Sequence, residues 1–338
     1  MKKIRIISIG FGNSISNLAR FLDLLSRDAG AEEWVWHRIV GGFKAGDLEL
    51  VGSIDIDCRK INNIEFKIPV FKGFLIDESK ILREALPSLC LGSEDDVRNK
   101  IKELKPDIGL IAVNSGQPNT VRRYAEIMLE LGIPVINMTP ERIARDEYLR
   151  REFLGRGLIV VGDDLMSQAG GTILHKYLVR FFTERGLRVL RSYQLDVAGT
   201  LETLVTTDES VRIEKRNIKS EVIRIEGGER VSAGTTDYVP FLEDQRISHI
   251  YLEAIAPMNK IFRLEAKYWS YDGVNALNTL LDVVRAVMYS VREHGSSREV
   301  LEEDALIISA YGFKAPPKLV VFEEALNLFE KRFINAES

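Results

Sequence analysis

Ile4-Arg5-Ile6-Ile7-Ser8-Ile9-Gly10-Phe11-Gly12-Asn13-Ser14 is the stretch on which the reading of the fold turns. Its first six residues are a β-branched run that predicts a buried strand, and Gly10-Phe11-Gly12 stands where a dinucleotide-binding turn follows a first strand. A helix expected from about Ser16 to Ser26 would begin over the pyrophosphate position, where unpaired N–H groups and the helix dipole favour an anion. A full GxGxxG would place glycine at 15; Ile15 stands there, so helix and strand cannot approach as closely as in the standard fingerprint. A tight strand-helix turn without a ligand would use the same two glycines.

Further along, the run from Leu48 to Asp57 reads as a second parallel strand ending in acid. A carboxylate there can accept both ribose hydroxyls and exclude a 2′-phosphate, which is the physical case for NAD over NADP. Asp55 and Asp57 point to opposite sides if the strand continues, so one or the other serves. Their distance from the glycines exceeds the usual spacing and implies an insertion between the first helix and the second strand. Ser93 and Asp96 form a capping-box signal for a helix to Leu104. A strand from Ile108 to Val113 then ends at Asn114-Ser115-Gly116, whose small residues let backbone approach a ligand. Helix Asn119 to Leu131, strand Pro134 to Met138, helix Glu141 to Leu154 and strand Leu158 to Val161 continue the alternation. Alternation this regular predicts an α/β fold with a Rossmann-like, doubly wound parallel sheet.

At the end of that last strand, Gly162-Asp163-Asp164-Leu165-Met166-Ser167-Gln168-Ala169-Gly170-Gly171-Thr172 reads as a polar turn into a helix from Ser167 to Arg185, either a phosphate seat or a turn capped by Ser167. Beyond it the texture changes. Val189 to Val197, Glu221 to Ile225, His249 to Ala256 and Ile261 to Tyr271 are strand-like, which predicts a second α+β domain on a mixed sheet. Ala276 to Glu293, Glu302 to Ser309 and Leu319 to Phe333 read as helices. Lys215 and Lys219 share one face if their segment is helical, where each ammonium lowers the pKa of the other; a solvated basic face has the same spacing. Lys314 is held on a turn by Pro316 and Pro317.

Four of these segments, Gly10 to Ser14, Gly162 to Gln168, Thr236-Asp237-Tyr238-Val239-Pro240 and Tyr311 to Pro316, resemble in order the myo-inositol-1-phosphate synthase family in its shorter prokaryotic form, over nearly the whole chain. The resemblance implies an NAD-dependent enzyme that oxidises C5 of glucose 6-phosphate, enolises toward C6, closes the ring on C1 and returns the hydride. It implies Lys215, Lys219 and Lys314 as catalytic residues, and Ser167, Gln168, Asp237 and Asp272 at the sugar phosphate. The cofactor would be held by Gly10, Gly12, Asn13, Ser14, Asp55 or Asp57, Asn114, Ser115, Asp163 and Asp164, with no metal assigned. It further implies a homotetramer, with the last two helical runs returning to the first domain. The expected division is an NAD-binding domain of 1–165 plus about 300–338 and a catalytic and oligomerisation domain of 166–299. The chain departs from the family pattern at Met166, where a lysine is usual, at Thr200 and Glu202 in place of Asn and Asp, and at Ile255, where relatives carry a cation and Lys260 lies nearby. Those departures keep two alternatives open: a dehydrogenase or epimerase of another sugar phosphate, and a non-enzymatic NAD-binding homologue.

Composition sets the outer bounds. A chain of 338 residues with 45% hydrophobic and 28% charged residues reads as an ordinary soluble globular protein of about two domains. A net charge of -4, with Lys and Arg spread along the chain, argues against nucleic acid as a partner. Cys58 and Cys90 match no metal or redox spacing and are expected as buried thiols. The apolar run after Met1-Lys2-Lys3 is too short for a signal peptide or a membrane span, so a cytoplasmic enzyme is expected.

Overall fold

The computed structural model describes residues 3–61, 67–77, 79–86 and 88–335; Met1 and Lys2 of the N-terminal run lie outside the described residues. Strand β1 (Ile4–Ile9) leads to helix α1 (Asn13–Arg27), which begins three residues earlier than expected. A short hairpin, β2 (Ile39–Val40) and β3 (Phe43–Lys44), then precedes β4 (Leu48–Asp55) and is the insertion that the spacing implied. There follow β5 (Val70–Lys72), α2 (Lys80–Ala85), α3 (Glu94–Leu104), β6 (Ile108–Ile111), α4 (Pro118–Glu130), β7 (Val135–Asn137), α5 (Glu147–Gly155) and β8 (Val160–Val161). Ser93 and Asp96 do form the capping box of α3. The six strands pair in parallel in the order β5-β4-β1-β6-β7-β8, a doubly wound Rossmann-like sheet.

The core explains why β1 is apolar throughout. Ile4 and Ile6 pack in one buried cluster and Ile7 and Ile9 in another, on the two faces of the sheet. Burying each such side chain contributes roughly 1.5–3 kcal/mol.

The second layer begins with α6 (Gly171–Thr183), followed by β9 (Arg188–Ala198), α7 (Leu201–Val205), α8 (Glu209–Arg224), β10 (Gly228–Tyr238), β11 (Gln245–Ala256) and β12 (Lys260–Tyr271). β10 runs parallel to β9, and β11 is antiparallel to both β9 and β12, giving a mixed four-stranded sheet in the order β10-β9-β11-β12. Helices α9 (Asp272–Asn275), α10 (Leu277–His294), α11 (Arg298–Gly312) and α12 (Phe322–Phe333) end the chain. Leu281 and Val284 of α10, Leu301 and Ile308 of α11, and Phe329 of α12 share a core cluster with Ile4 and Ile6 of the first sheet.

Three expectations are corrected, and one strand, β10, was not expected. Glu221 to Ile225 is not a strand but the end of α8: Ile218, Val222 and Ile223 recur at helical spacing on its buried side, and Asp208 caps its start. β10 escapes a reading by hydrophobic period because Glu229, Arg230 and Ser232 of this edge strand are exposed. The turn after β8 does not use Ser167 as a helix cap, since α6 starts at Gly171 with Gly170 before it. Cys58 and Cys90 are half-buried and form a disulfide, Cα–Cα 5.0 Å, beside an antiparallel bridge between Asp57 and Leu89. Among the described residues, no helix is long and apolar enough to cross a membrane.

Candidate active site

A cavity of about 460 Å³ lies at the carboxyl ends of the parallel strands, lined from one side by turns after β1, β4, β6, β7 and β8 and from the other by β9, β11 and α8. This is where an open α/β sheet places its ligands.

The first end is built by backbone. Gly10 has φ +97°, and a Cβ there would stand 2.4 Å from the Ala112 carbonyl oxygen, so only glycine allows β1 to turn this close to β6. Around Gly12 a Cβ would meet nothing within 4 Å, leaving the backbone open to the cavity. Among the described residues no side chain caps α1, so its first N–H groups are available to an anion beside Gly12, Asn13 and Ser14, all of which line the cavity. These features fit a dinucleotide's pyrophosphate. The strand of the acids stops at Asp55 and the chain turns, so Asp55 and Asp57 line the cavity together instead of facing opposite ways. Asp55 accepts from Phe11 N at 2.7 Å, tying the glycine turn to β4, and its Oδ2 lies 3.1 Å from Lys60 Nζ. Asp57 is held by Arg59, and that pairing outweighs burial to keep its carboxyl below the usual range.

At the other end cations converge. The segment around Asp163 to Met166 pairs with 312–315 through Ala315 N to Asp163 O, Lys314 N to Asp164 O and Met166 N to Gly312 O. This pairing brings Lys314 Nζ to 2.8 Å from Asp164 Oδ1. Lys215 and Lys219 extend from α8: Lys215 donates to Glu202, which also accepts from the Ser115 hydroxyl, and Lys219 donates to Asp196 of β9. Arg246 of β11 forms a bidentate pair with Asp272, both bonds 2.6 Å, and lies 3.6 Å from Asp196. Gly171 lets the start of α6 approach this sheet, since a Cβ there would fall 2.3 Å from Ser248 Oγ.

The two lysines of α8 are pushed apart electrostatically, not lowered together as the sequence suggested. Burial alone would lower Lys215, but Glu202 and Asp164 outweigh it and raise its pKa. Burial also acts on Lys219 and, with Arg246 and Lys314, outweighs the hydrogen-bonded Asp196, so its pKa is lowered. Asp196, shared between Lys219 and Arg246, overcomes its burial and is held down at about 2. Asp164 is likewise lowered against burial by Lys314 and Lys215.

Of the site residues expected from sequence, Gly10, Gly12, Asn13, Ser14, Asp55, Asp57, Asn114, Ser115, Asp164, Ser167, Lys215, Lys219, Asp272 and Lys314 line this one cavity. Asp163, Gln168 and Asp237 do not. Asp163 is fully buried and receives Asn137 Nδ2 at 2.7 Å, Ala144 N at 2.9 Å and Arg145 Nε at 3.1 Å, so it fixes the 143–145 turn; burial raises its pKa to about 6. Gln168 turns its amide toward the Tyr311 carbonyl, 3.5 Å away. Asp237 sits at a register shift of β10 against β9, is exposed, and bonds its own neighbour Tyr238 N. Met166 faces none of the site: it is buried against Ile173 and Phe322. Ile255 and Lys260 sit where β11 turns into β12 and are not among the residues lining the cavity, whereas Arg246, earlier on β11, is. Alternation was the available signal, because Arg246, Ser248 and Ile250 share one face of β11. Asp196 and Gln194 follow from the same rule on β9.

Fold and site together define a dinucleotide-type α/β protein whose cavity ends in paired lysines, an arginine and carboxylates. The sequence model of the family described as Myo-inositol-1-phosphate synthase matches residues 170–273. The chain is 26% identical to the inositol-3-phosphate synthase of Mycobacterium tuberculosis (strain CDC 1551 / Oshkosh), covering 94% of this chain and 92% of that protein. To the inositol-3-phosphate synthase of Corynebacterium glutamicum it is 27% identical, over 98% of this chain and 99% of that one. Among solved structures, a myo-inositol-1-phosphate synthase-related protein from Thermotoga maritima shares the fold with a TM-score of 0.77 at 16% identity, covering 98% of both chains. Inositol-3-phosphate synthase from Caenorhabditis elegans does so at 0.72 and 14%, over 98% of this chain and 85% of that one. Over nearly its whole length the chain is thus similar to inositol-3-phosphate synthases, as its turns suggested.

Proposed function

We propose that this protein is an NAD-dependent isomerase that converts glucose 6-phosphate into an inositol phosphate. The observation that carries the reading is the convergence of Lys215, Lys219, Lys314 and Arg246 from three separate parts of the chain on a cavity whose other end is a glycine turn with two acids. Gly10, Gly12, Asn13 and Ser14 would hold the dinucleotide's pyrophosphate, and Asp55 or Asp57 its ribose, which favours NAD over NADP. Bound NAD supplies a hydride acceptor for one carbon and returns the hydride at the end. The chain's own groups handle charge and protons. Lys215, kept protonated by Glu202 and Asp164, stabilises negative charge developing on a substrate oxygen. Lys219, with its lowered pKa, is the group suited to take and return the proton at the enolising carbon. Lys314, with Ser167 nearby in the cavity lining, binds the phosphate.

Glu202 on Lys215 favours a second reading, an oxidation or epimerisation of another sugar phosphate, because ring closure would have to proceed with that ammonium already partnered. Incubation with glucose 6-phosphate and NAD separates the two: the isomerase forms inositol phosphate with no net NADH, whereas a dehydrogenase accumulates NADH in proportion to product. The reading further divides the chain into a cofactor domain of 1–165 plus about 300–338 and a catalytic domain of 166–299. The outer face of the mixed sheet, where Leu195, Trp269 and Tyr271 are exposed, would join subunits into a tetramer of the cytoplasmic enzyme.

A further inference from the structure

We propose that Gln117 reads the adenine ring of the cofactor through its side-chain amide and so sets the base specificity of the site; the inference rests on the NAD-dependent reading above. Gln117 precedes α4, lines the cavity and is 1% exposed. Neither its Nε2 nor its Oε1 has a hydrogen-bond partner among the described residues. A buried primary amide left unpaired on both atoms costs stability, and such groups are almost always satisfied in the working state of a protein. Its backbone is fixed, because the Gln117 and Gly116 N–H groups both donate to Glu141, at 3.0 and 2.7 Å. The side chain is therefore presented to the cavity from a rigid position.

The neighbours identify which part of a dinucleotide the amide would meet. One turn into α4, Thr120 Oγ1 accepts from Ile76 N and Asp77 N, and Tyr124 Oη accepts from Phe74 N. The start of α4 is thus docked on the segment that follows β5. That segment in turn adjoins the acid-bearing strand end, since Gly73 N donates to the Asp55 carbonyl at 2.8 Å. Gln117 consequently stands where the start of α4 adjoins the acid-bearing end of the cavity. Leu75, Leu82 and Leu86 line the same region with apolar surface suited to the faces of a flat ring. A primary amide offers one donor and one acceptor side by side, the complement of adenine's N6 donor with its adjacent ring-nitrogen acceptor. An apolar slot closed by one such amide selects an adenine base in preference to one whose N6 edge is blocked.

The test compares the binding of NAD and its fluorescent 1,N6-etheno analogue, in which that edge is closed, by titration calorimetry and fluorescence with the intact protein. The native protein is expected to bind NAD at least about tenfold more tightly than the etheno analogue, as befits loss of a bidentate contact. In Gln117→Ala, which removes the amide and opens room, and in Gln117→Leu, which keeps its bulk, NAD binds more weakly; in the alanine variant the two ligands bind within about twofold of each other. A ratio near one in the native protein overturns the proposal, as does an unchanged ratio in either variant that retains the native circular dichroism spectrum. If the native protein binds neither dinucleotide, the NAD-dependent reading itself has failed; if NAD binds and the ratio ignores Gln117, only the role of Gln117 has.

Discussion

Replacing Asp196 by Asn removes one buried negative charge while keeping the side chain's size, and the consequence should appear at Lys219. Asp196 is completely buried, accepts from Lys219 and from Gln194 Nε2 at 2.8 Å, and lies 3.6 Å from Arg246. It is the carboxylate bonded to Lys219 and works against burial there, while Arg246 and Lys314 act in the opposite direction. A pair of unit charges in contact at an effective dielectric of about 20 interacts by about 4 kcal/mol, equivalent to roughly three pKa units before relaxation. Lys219 in Asp196→Asn should therefore titrate clearly lower than in the native protein. Rates of acylation by acetic anhydride, measured as a function of pH and read at Lys219 by mass spectrometry, give this pKa without relying on turnover. The acid limb of stability changes as well. A carboxylate held at about 2 in the fold and near 3.8 in the unfolded chain contributes stability that is present above 3.8 and is lost as pH falls through 2, about 2 kcal/mol in all. The Asn variant lacks that pH-dependent component. An unchanged Lys219 titration in a folded Asp196→Asn protein would refute the argument that this carboxylate governs the lysine.

Other outcomes follow from the same geometry. Lys314→Ala should cut turnover of glucose 6-phosphate about a hundredfold or more and also lower stability by about 3 kcal/mol, because Asp164 is left buried without its partner; an undiminished melting temperature would count against the pair. Cys58→Ser should destabilise by about 3–4 kcal/mol on the chain-entropy account of a loop with a separation of 32 residues, and strong reductant should bring the native protein to the same value while leaving the variant unmoved. Asp55→Ala should weaken NAD more than Asp57→Ala, since Asp55 also anchors Phe11 N in the glycine turn whereas Asp57 is engaged by Arg59; calorimetric titration giving the reverse order would reassign the ribose contact.

The first half of the fold was legible because its signals are local. A β-branched run followed by Gly10 and Gly12, and a capping box at Ser93, each describe contacts within a few residues, and each appears where the sequence puts it. Helix starts were read less well where tertiary contacts decide them. Residues 141–146 have the composition of a helix, yet Asp163, some twenty residues on, takes the N–H groups of Ile143, Ala144 and Arg145 and holds them in a turn. The disulfide was unreadable for a similar reason, since nothing near Cys58 in sequence indicates that the chain returns alongside it at Leu89.

The charged end of the cavity shows what local motif reading omits. Lys215, Lys219 and Lys314 could be picked out by resemblance, but whether each acts as a free ammonium or a neutralised one depends on which carboxylate faces it, and those partners come from β9, α7 and the turn after β8. Spacing on α8 alone would lower both lysines together. The observed register instead places Glu202 and Asp164 around Lys215, and sets Arg246 and Lys314 against Lys219 with Asp196 as its bonded carboxylate. Two lysines four residues apart on one helix thereby acquire opposite shifts, one suited to holding charge and the other to moving a proton. That division of roles depends on the second sheet, because Asp196 and Arg246 reach Lys219 from adjacent strands whose pairing sets Asp196 opposite Ser248 and Ala198 opposite Arg246. A one-residue slip between β9 and β11 would turn one strand's carboxylate or the other's guanidinium to the outer face and leave Lys219 with an uncompensated neighbour.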